Sequence, residues 1–177
     1  LANSYDIYYR VHVSDIGWQN NVKNGLTSGT TGQGKQIEAI KIAVSSSLAG
    51  NITYQTYIEK TGWQNNVNNG EISGTTGLGR KIEAIKISLN GTISSYYDVY
   101  YRTHVSNVGW LDWTCNGQPS GSSGIDMAIE AIEIVLVPKG ADAPGATTNA
   151  YVTGKWVTDS NNNTYYYDAF GNMARDF

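Results

Sequence analysis

The chain has 177 residues, a formal net charge of -3, 40% hydrophobic residues and only 15% charged ones. That length suits one domain, or one with a small appendage, and five tryptophans give material for a packed core, so disorder is excluded for most of the chain. No Lys/Arg cluster offers a field to nucleic acid, no apolar run is long enough to span a bilayer, and a single cysteine with two histidines gives neither an internal disulfide nor metal-ligand spacing.

Read in chain order, the opening LANSYDIYYR has no initiator Met, basic n-region or apolar core, and so reads as part of a longer protein. In YDIYYRVHV, Ile7, Tyr9, Val11 and Val13 alternate with Tyr8, Arg10 and His12, the period of a half-buried strand. A short hairpin is expected to begin at Trp18 and to turn at Asn24-Gly25, since Asn-Gly accommodates positive φ at little cost. A glycine-rich loop, GTTG from 29, leads to the apolar strand IEAIKI from 37. The loop lacks the spacing and the trailing Lys-Ser/Thr of a phosphate-binding loop.

The same elements then recur. SDIGWQNNVKNGLTSGTTGQGKQIEAIKI from 14 aligns without gaps to EKTGWQNNVNNGEISGTTGLGRKIEAIKI from 59 and SNVGWLDWTCNGQPSGSSGIDMAIEAIEI from 106. Trp18 and Glu38, Trp63 and Glu83, and Trp110 and Glu130 are each 20 residues apart. Repeats over about 5–45, 50–90 and 97–137 are too short to bury a core singly, so three should share one interior within a domain of residues 1–138. The expected fold is all-β and three-fold pseudosymmetric, a β-prism of three sheets with the β-trefoil as alternative; strands of eight or nine residues favour the prism.

Each repeat sets a glutamate among isoleucines. By simple alternation Glu38 shares a face with Ile40, Ile42 and Val44, so its carboxylate needs partners. Those open to it are the N–H groups and hydroxyls of the GTTG loop, the indole N–H, or Arg10 and Arg102. A glycosidase needs two carboxylates with different surroundings, whereas three copies of one unit receive nearly the same surroundings, so no catalytic residue is assigned.

His12 and His104 match Tyr57 in the second repeat, which suits a packing ring rather than a ligand or proton shuttle. Cys115 replaces Lys23 and Asn68 beside the turn. The repeated Trp18, Trp63 and Trp110 read as core wedges rather than ligand platforms, because Trp is highly buried on average. The residues after them, Gln19, Asn20 and Asn21, then Gln64, Asn65 and Asn66, then Leu111, Asp112 and Trp113, give amides and an aromatic ring to a hairpin rim, a suitable lining for a sugar or polar polymer.

With GWQ, the Asn-Gly turn, SGTTG and IEAIKI in three copies over residues 5 to 137, the chain resembles the ChW repeat of secreted and surface proteins of Clostridia and related Gram-positive bacteria. That resemblance implies a non-catalytic module for surface attachment or substrate binding, appended to other domains. In the family a second aromatic often stands where this chain has Trp113; here Asn21 and Asn66 fill that place in the first two repeats.

Residues 139–150 read as a linker by their Pro, Gly, Ala and Asp content. Residues 151–177 form a hairpin-like tail in which Trp156, Tyr165, Tyr166, Tyr167, Gly171 and Met173 resemble one repeat of the choline-binding or glucan-binding cell-wall family. Choline sites in that family lie between consecutive repeats, so a lone copy implies a cap or the start of an array, with Trp156, Tyr165 and Tyr167 as its candidate ligand aromatics. The expected function is therefore extracellular, at the cell surface or secreted, without cofactor: binding cell-wall or extracellular polysaccharide. An adhesin that recognises a host protein such as mucin or an immunoglobulin is the alternative, and an ancillary module of a secreted glycoside hydrolase a third.

Overall fold

A computed structural model describes residues 5–45, 47–167 and 173–174, with backbone alone for 155–157, 166–167 and 173–174. The first repeat forms β1 (Asp6–Val13), β2 (Gly17–Trp18), β3 (Val22–Lys23), β4 (Ser28–Gly29) and β5 (Ile37–Ser45). The second repeats this as β6 (Asn51–Ile58), β7 (Gly62–Trp63), β8 (Val67–Asn68), β9 (Ser73–Gly74) and β10 (Ile82–Asn90). After a single helical turn, α1 (Ile93–Tyr96), the third gives β11 (Tyr97–Val105), β12 (Gly109–Trp110), β13 (Thr114–Cys115), β14 (Ser120–Ser123) and β15 (Ile129–Pro138).

Period-two patterning produces strict alternation of burial along β1 and β6, and the buried sides of three sheets meet in one core. Ile37, Ile40, Ile82, Ile85, Ile129 and Ile132, two from each repeat, surround a narrow apolar void at its centre. The fold is thus all-β with three sheets and no closed barrel, which meets the prism expectation and not the trefoil alternative.

The expected hairpin starting at Trp18 does not form. β2 and β3 both return along β1, with Trp18 opposite His12 and Val22 opposite Tyr9, so the hairpin is made with the preceding long strand. The Asn24-Gly25 turn, with φ of 48° and 86°, then passes the chain to the neighbouring sheet. There β4 pairs with β15 of the third repeat, β9 with β5 of the first and β14 with β10 of the second. Each repeat lends a short strand to the one before, and the first closes the ring onto the third.

Three buried tyrosines fasten these exchanges. The Tyr54 hydroxyl accepts from Ile42 N–H at 3.1 Å and donates to Glu71 C=O. Gly70 N–H donates to Ile42 C=O at 2.8 Å, so the next repeat satisfies both backbone groups of Ile42. Tyr101 repeats the arrangement with Ile87 and Gln118, and Tyr9 with Ile134 and Leu26.

The glutamates occupy a place that alternation does not foresee. Between His12 and Val13 the register slips: His12 faces Ala39 and Val13 faces Ile37, leaving Glu38 as the extra residue of a β-bulge. Ile37 and Ile40 then both join the core, while Glu38 turns to the side of His12, whose Nδ1 lies 3.6 Å from its carboxylate. Glu83 and Glu130 sit at matching slips, and Glu130 lies 3.1 Å from His104 Nδ1. The shared-face reading of Glu38 is corrected accordingly. The GTTG loop does meet these glutamates, but at their carbonyls: Thr75 N–H donates to Glu38 C=O at 2.9 Å and Thr30 N–H to Glu130 C=O at 3.0 Å.

Residues 145–150 lie against the third repeat and lead into β16 (Tyr151–Thr153), which pairs parallel with β14. A small separate sheet of β17 (Lys155–Thr158), β18 (Thr164–Tyr167) and β19 (Met173–Ala174) forms the C-terminal hairpin and its added strand.

Candidate functional site

On each outer sheet face the return strand lays its tryptophan beside the unburied side of the first long strand. Trp18, Trp63 and Trp110 are half-buried and stand apart from the core, which corrects their reading as core wedges. The cause is the register. Trp18 pairs with His12, whose side chain already faces outward because Val11 and Val13 face inward. The indole meets the His12 ring edge-on at 5.6 Å between centroids, and Tyr57 and His104 give the same contact to Trp63 and Trp110 at 5.5 Å. The packing-ring reading of His12 and His104 agrees with these contacts.

Cations complete each cluster. Arg10 and Lys41 lie 5.2 and 5.4 Å from the Trp18 centroid, Lys86 lies 4.2 Å from that of Trp63, and Arg102 stands 4.7 Å from Trp110 and 5.0 Å from Trp113. Arg10 and Arg102 were singled out from the sequence as partners for the glutamates rather than for the indoles, and Lys41 and Lys86 were not singled out. Their signal was the polar phase of the strand alternation, which aligns Arg10 and Lys41 across the sheet from each other.

The other predicted residues fall into distinct places. Gln19 turns back on its own repeat, its amide accepting from Gly29 N–H at 2.7 Å. Gln64 donates to Gly62 C=O at 3.0 Å. Asn20, Asn21, Asn65 and Asn66 are exposed at the rim. In the third repeat Asp112 accepts from Asn149 N–H at 2.9 Å, and Trp113, only 8% exposed, is covered by the segment through Gly145 and Ala146. Leu111 packs with Val105, Ile125 and Val152 in a second apolar cluster. Tyr165 is half-buried, and the side chains of Trp156 and Tyr167, like Gly171, lie outside the described residues.

The buried glutamates differ in their company. Tyr57 replaces the histidine beside Glu83, whose carboxyl makes no hydrogen bond among the described residues. Burial pushes that carboxyl up to about 7, opposed by Lys81 and helped by Asp126 and Glu59.

A model of the family described as Clostridial hydrophobic W, ChW, matches residues 12–46, 57–91 and 104–138. The chain belongs to the ChW family. No curated protein and no solved structure matches it. ChW repeats are repeat modules typically associated with the cell surface or wall, and the family is not a known catalytic domain. Each ChW match runs from the outward ring of His12, Tyr57 or His104 through the indole and the bulged glutamate, so the matched stretch of each repeat takes in the outer-face cluster and the exchanged short strand. The choline-binding likeness of residues 151–177 is not among the matches.

Proposed function

We propose that the chain is an extracellular, non-catalytic binding module that holds its parent protein to cell-wall or extracellular polysaccharide through the outer sheet faces. The observation that carries this reading is the repeated presentation of a half-buried indole at one register on three sheets, flanked by cations, with exposed rim amides beside the first two. Trp18 and Trp63 lie beside open rims at Asn20–Asn21 and Asn65–Asn66, whereas Trp113 of the third repeat lies under residues 144–150. Faces that bind alike gain avidity on a repeating polymer where spacing permits. The cell-wall-repeat likeness of residues 151–177 is consistent with the same setting. Retention of the full chain on purified Gram-positive cell walls tests it. Loss of retention in the Trp18→Ala, Trp63→Ala double variant is expected; undiminished retention would overturn it.

A second reading rests on a different observation. β16 adds in parallel to the edge of β14, where Gly121 N–H donates to Ala150 C=O at 3.2 Å, while the equivalent edge at Gly74 carries no added strand among the described residues. An extended segment of a host protein docked at that edge would make the chain an adhesin. Saturable binding to a deglycosylated protein, with no retention on cell walls, would favour it.

A further inference from the structure

The three outer faces differ most at one cross-strand pair. In equivalent register Arg10 faces Lys41 in the first repeat, Gln55 faces Lys86 in the second, and Arg102 faces Glu133 in the third. Opposite charges at such positions stabilise a sheet, and like charges directly opposite destabilise it. The third repeat holds the favourable arrangement, with Arg102 Nε donating to Glu133 Oε2 at 2.7 Å.

The first repeat holds two cations instead. Neither has a carboxylate within ion-pair distance among the described residues. The acids on the same face are engaged elsewhere: Glu38 lies against His12, and Asp6 is taken by Asn24, Tyr8 and Lys23. Both cations lean on Trp18, which offsets part of their repulsion. A singly charged or opposite-charge pair fits the same backbone, as the other two repeats demonstrate, so the folded sheet does not require two cations there. A local choice that opposes stability without structural need is the mark of a functional position.

We propose that Arg10 and Lys41, both set over Trp18, form a site for an anionic group, a carboxylate or phosphate, carried on a glycan chain. The second repeat, with Lys86 alone, binds such a group weakly, and the third, neutralised by Glu133, does not take part. This rests on the polysaccharide reading above and gives it a charge class.

Calorimetry on the full chain at low salt tests it with four polymers: polygalacturonate, poly(glycerol phosphate), neutral dextran and polyglutamate. The Lys41→Glu variant gives the first repeat the Arg–Glu pair of the third, so it retains the fold; Lys60→Glu makes the same charge change at an exposed turn of the second repeat. Binding to one or both anionic glycans is expected, weakened about tenfold by Lys41→Glu and changed less than about twofold by Lys60→Glu, and declining as salt is added. The arm that binds separates carboxylate from phosphate. Equal weakening by both variants overturns the site. Dextran binding that Lys41→Glu leaves unchanged also overturns it while the polysaccharide reading stands. Polyglutamate binding that is sensitive to Lys41→Glu, without binding to either anionic glycan, leaves the cation pair and removes the sugar. Binding to no polymer removes both.

Discussion

The Tyr9 hydroxyl accepts a hydrogen bond at 3.1 Å from Ile134 N–H, 125 residues further along the chain, and donates to Leu26 C=O. It therefore links the first repeat to the last strand of the third. Tyr9→Phe leaves the buried Ile134 N–H and the part-buried Leu26 C=O without this partner and should cost about 1–3 kcal/mol, measured by urea unfolding. Burial also pushes the Tyr9 and Tyr54 phenols up to about 12 from an ordinary value of 10.0. A raised folded-state value means a stabilisation fully present below pH 10.0 and lost as pH rises towards about 12. Alkaline unfolding in that window should be shallower in Tyr9→Phe, and an identical pH profile would contradict the assignment.

Gly29 has φ of 104°, and a Cβ there would lie 2.3 Å from Glu130 O and 2.8 Å from Ala131 Cα. Both obstacles are backbone, so β4 must leave β15 if the residue is enlarged. Gly29→Ala is expected to destabilise by about 2 kcal/mol or more. Hydrogen exchange should locate the loss along β15 first; protection unchanged at Ile132 would speak against it.

Glu83 provides a pH effect of its own. Its carboxyl lies at about 7 in the folded chain against 4.5 ordinarily, so its contribution is fully present below pH 4.5 and is lost as pH rises through about 7. Glu83→Gln should therefore melt higher than the parent at pH 8, with the difference shrinking towards pH 4.5. Tyr57→His, which installs the ring found beside Glu38 and Glu130, should lower the Glu83 value. Carboxyl chemical shifts followed against pH would read both.

Trp113 holds down the segment after the third repeat. A methyl at Gly145 would lie 3.1 Å from its ring, and the Trp113 backbone N–H, which an alanine there retains, donates to Ala146 C=O at 2.9 Å. Trp113→Ala should cost about 3 kcal/mol and open residues 139–150 to limited proteolysis while the first two repeats stay protected. Trp63→Ala, on a half-buried ring, should leave that segment resistant.

Much of the architecture is legible in the sequence because it is periodic. Alternation in β1, the constant interval from Trp18 to Glu38 and the recurrence of both give the strands, the repeat and the three-fold core. What escapes is whatever depends on register between strands. One inserted residue at Glu38 reverses which side the carboxylate takes, and no pattern within the strand marks it. Trp18 is outward because the turn at Asp15–Gly17 returns it opposite His12, a pairing that composition does not reveal. The tyrosines had a signal: Tyr9, Tyr54 and Tyr101 each precede the tryptophan by nine residues. Their partners belong to another repeat and so are invisible within one. The first repeat's cations were likewise visible singly but not as neighbours.

Because β4 completes a sheet whose other strands come last, synthesis and assembly run out of step. Ser28 and Gly29 leave the ribosome about 100 residues before Ala131 and Ile132, their partners. Until then β4 has no partner strand, so nascent chains pass through an unfinished form whose unpaired strand invites the wrong neighbour. Pairing of β4 with β15 makes folding of the three repeats a single event that waits for the third, and a chain cut short within the third repeat should be recognised by proteases as unfinished.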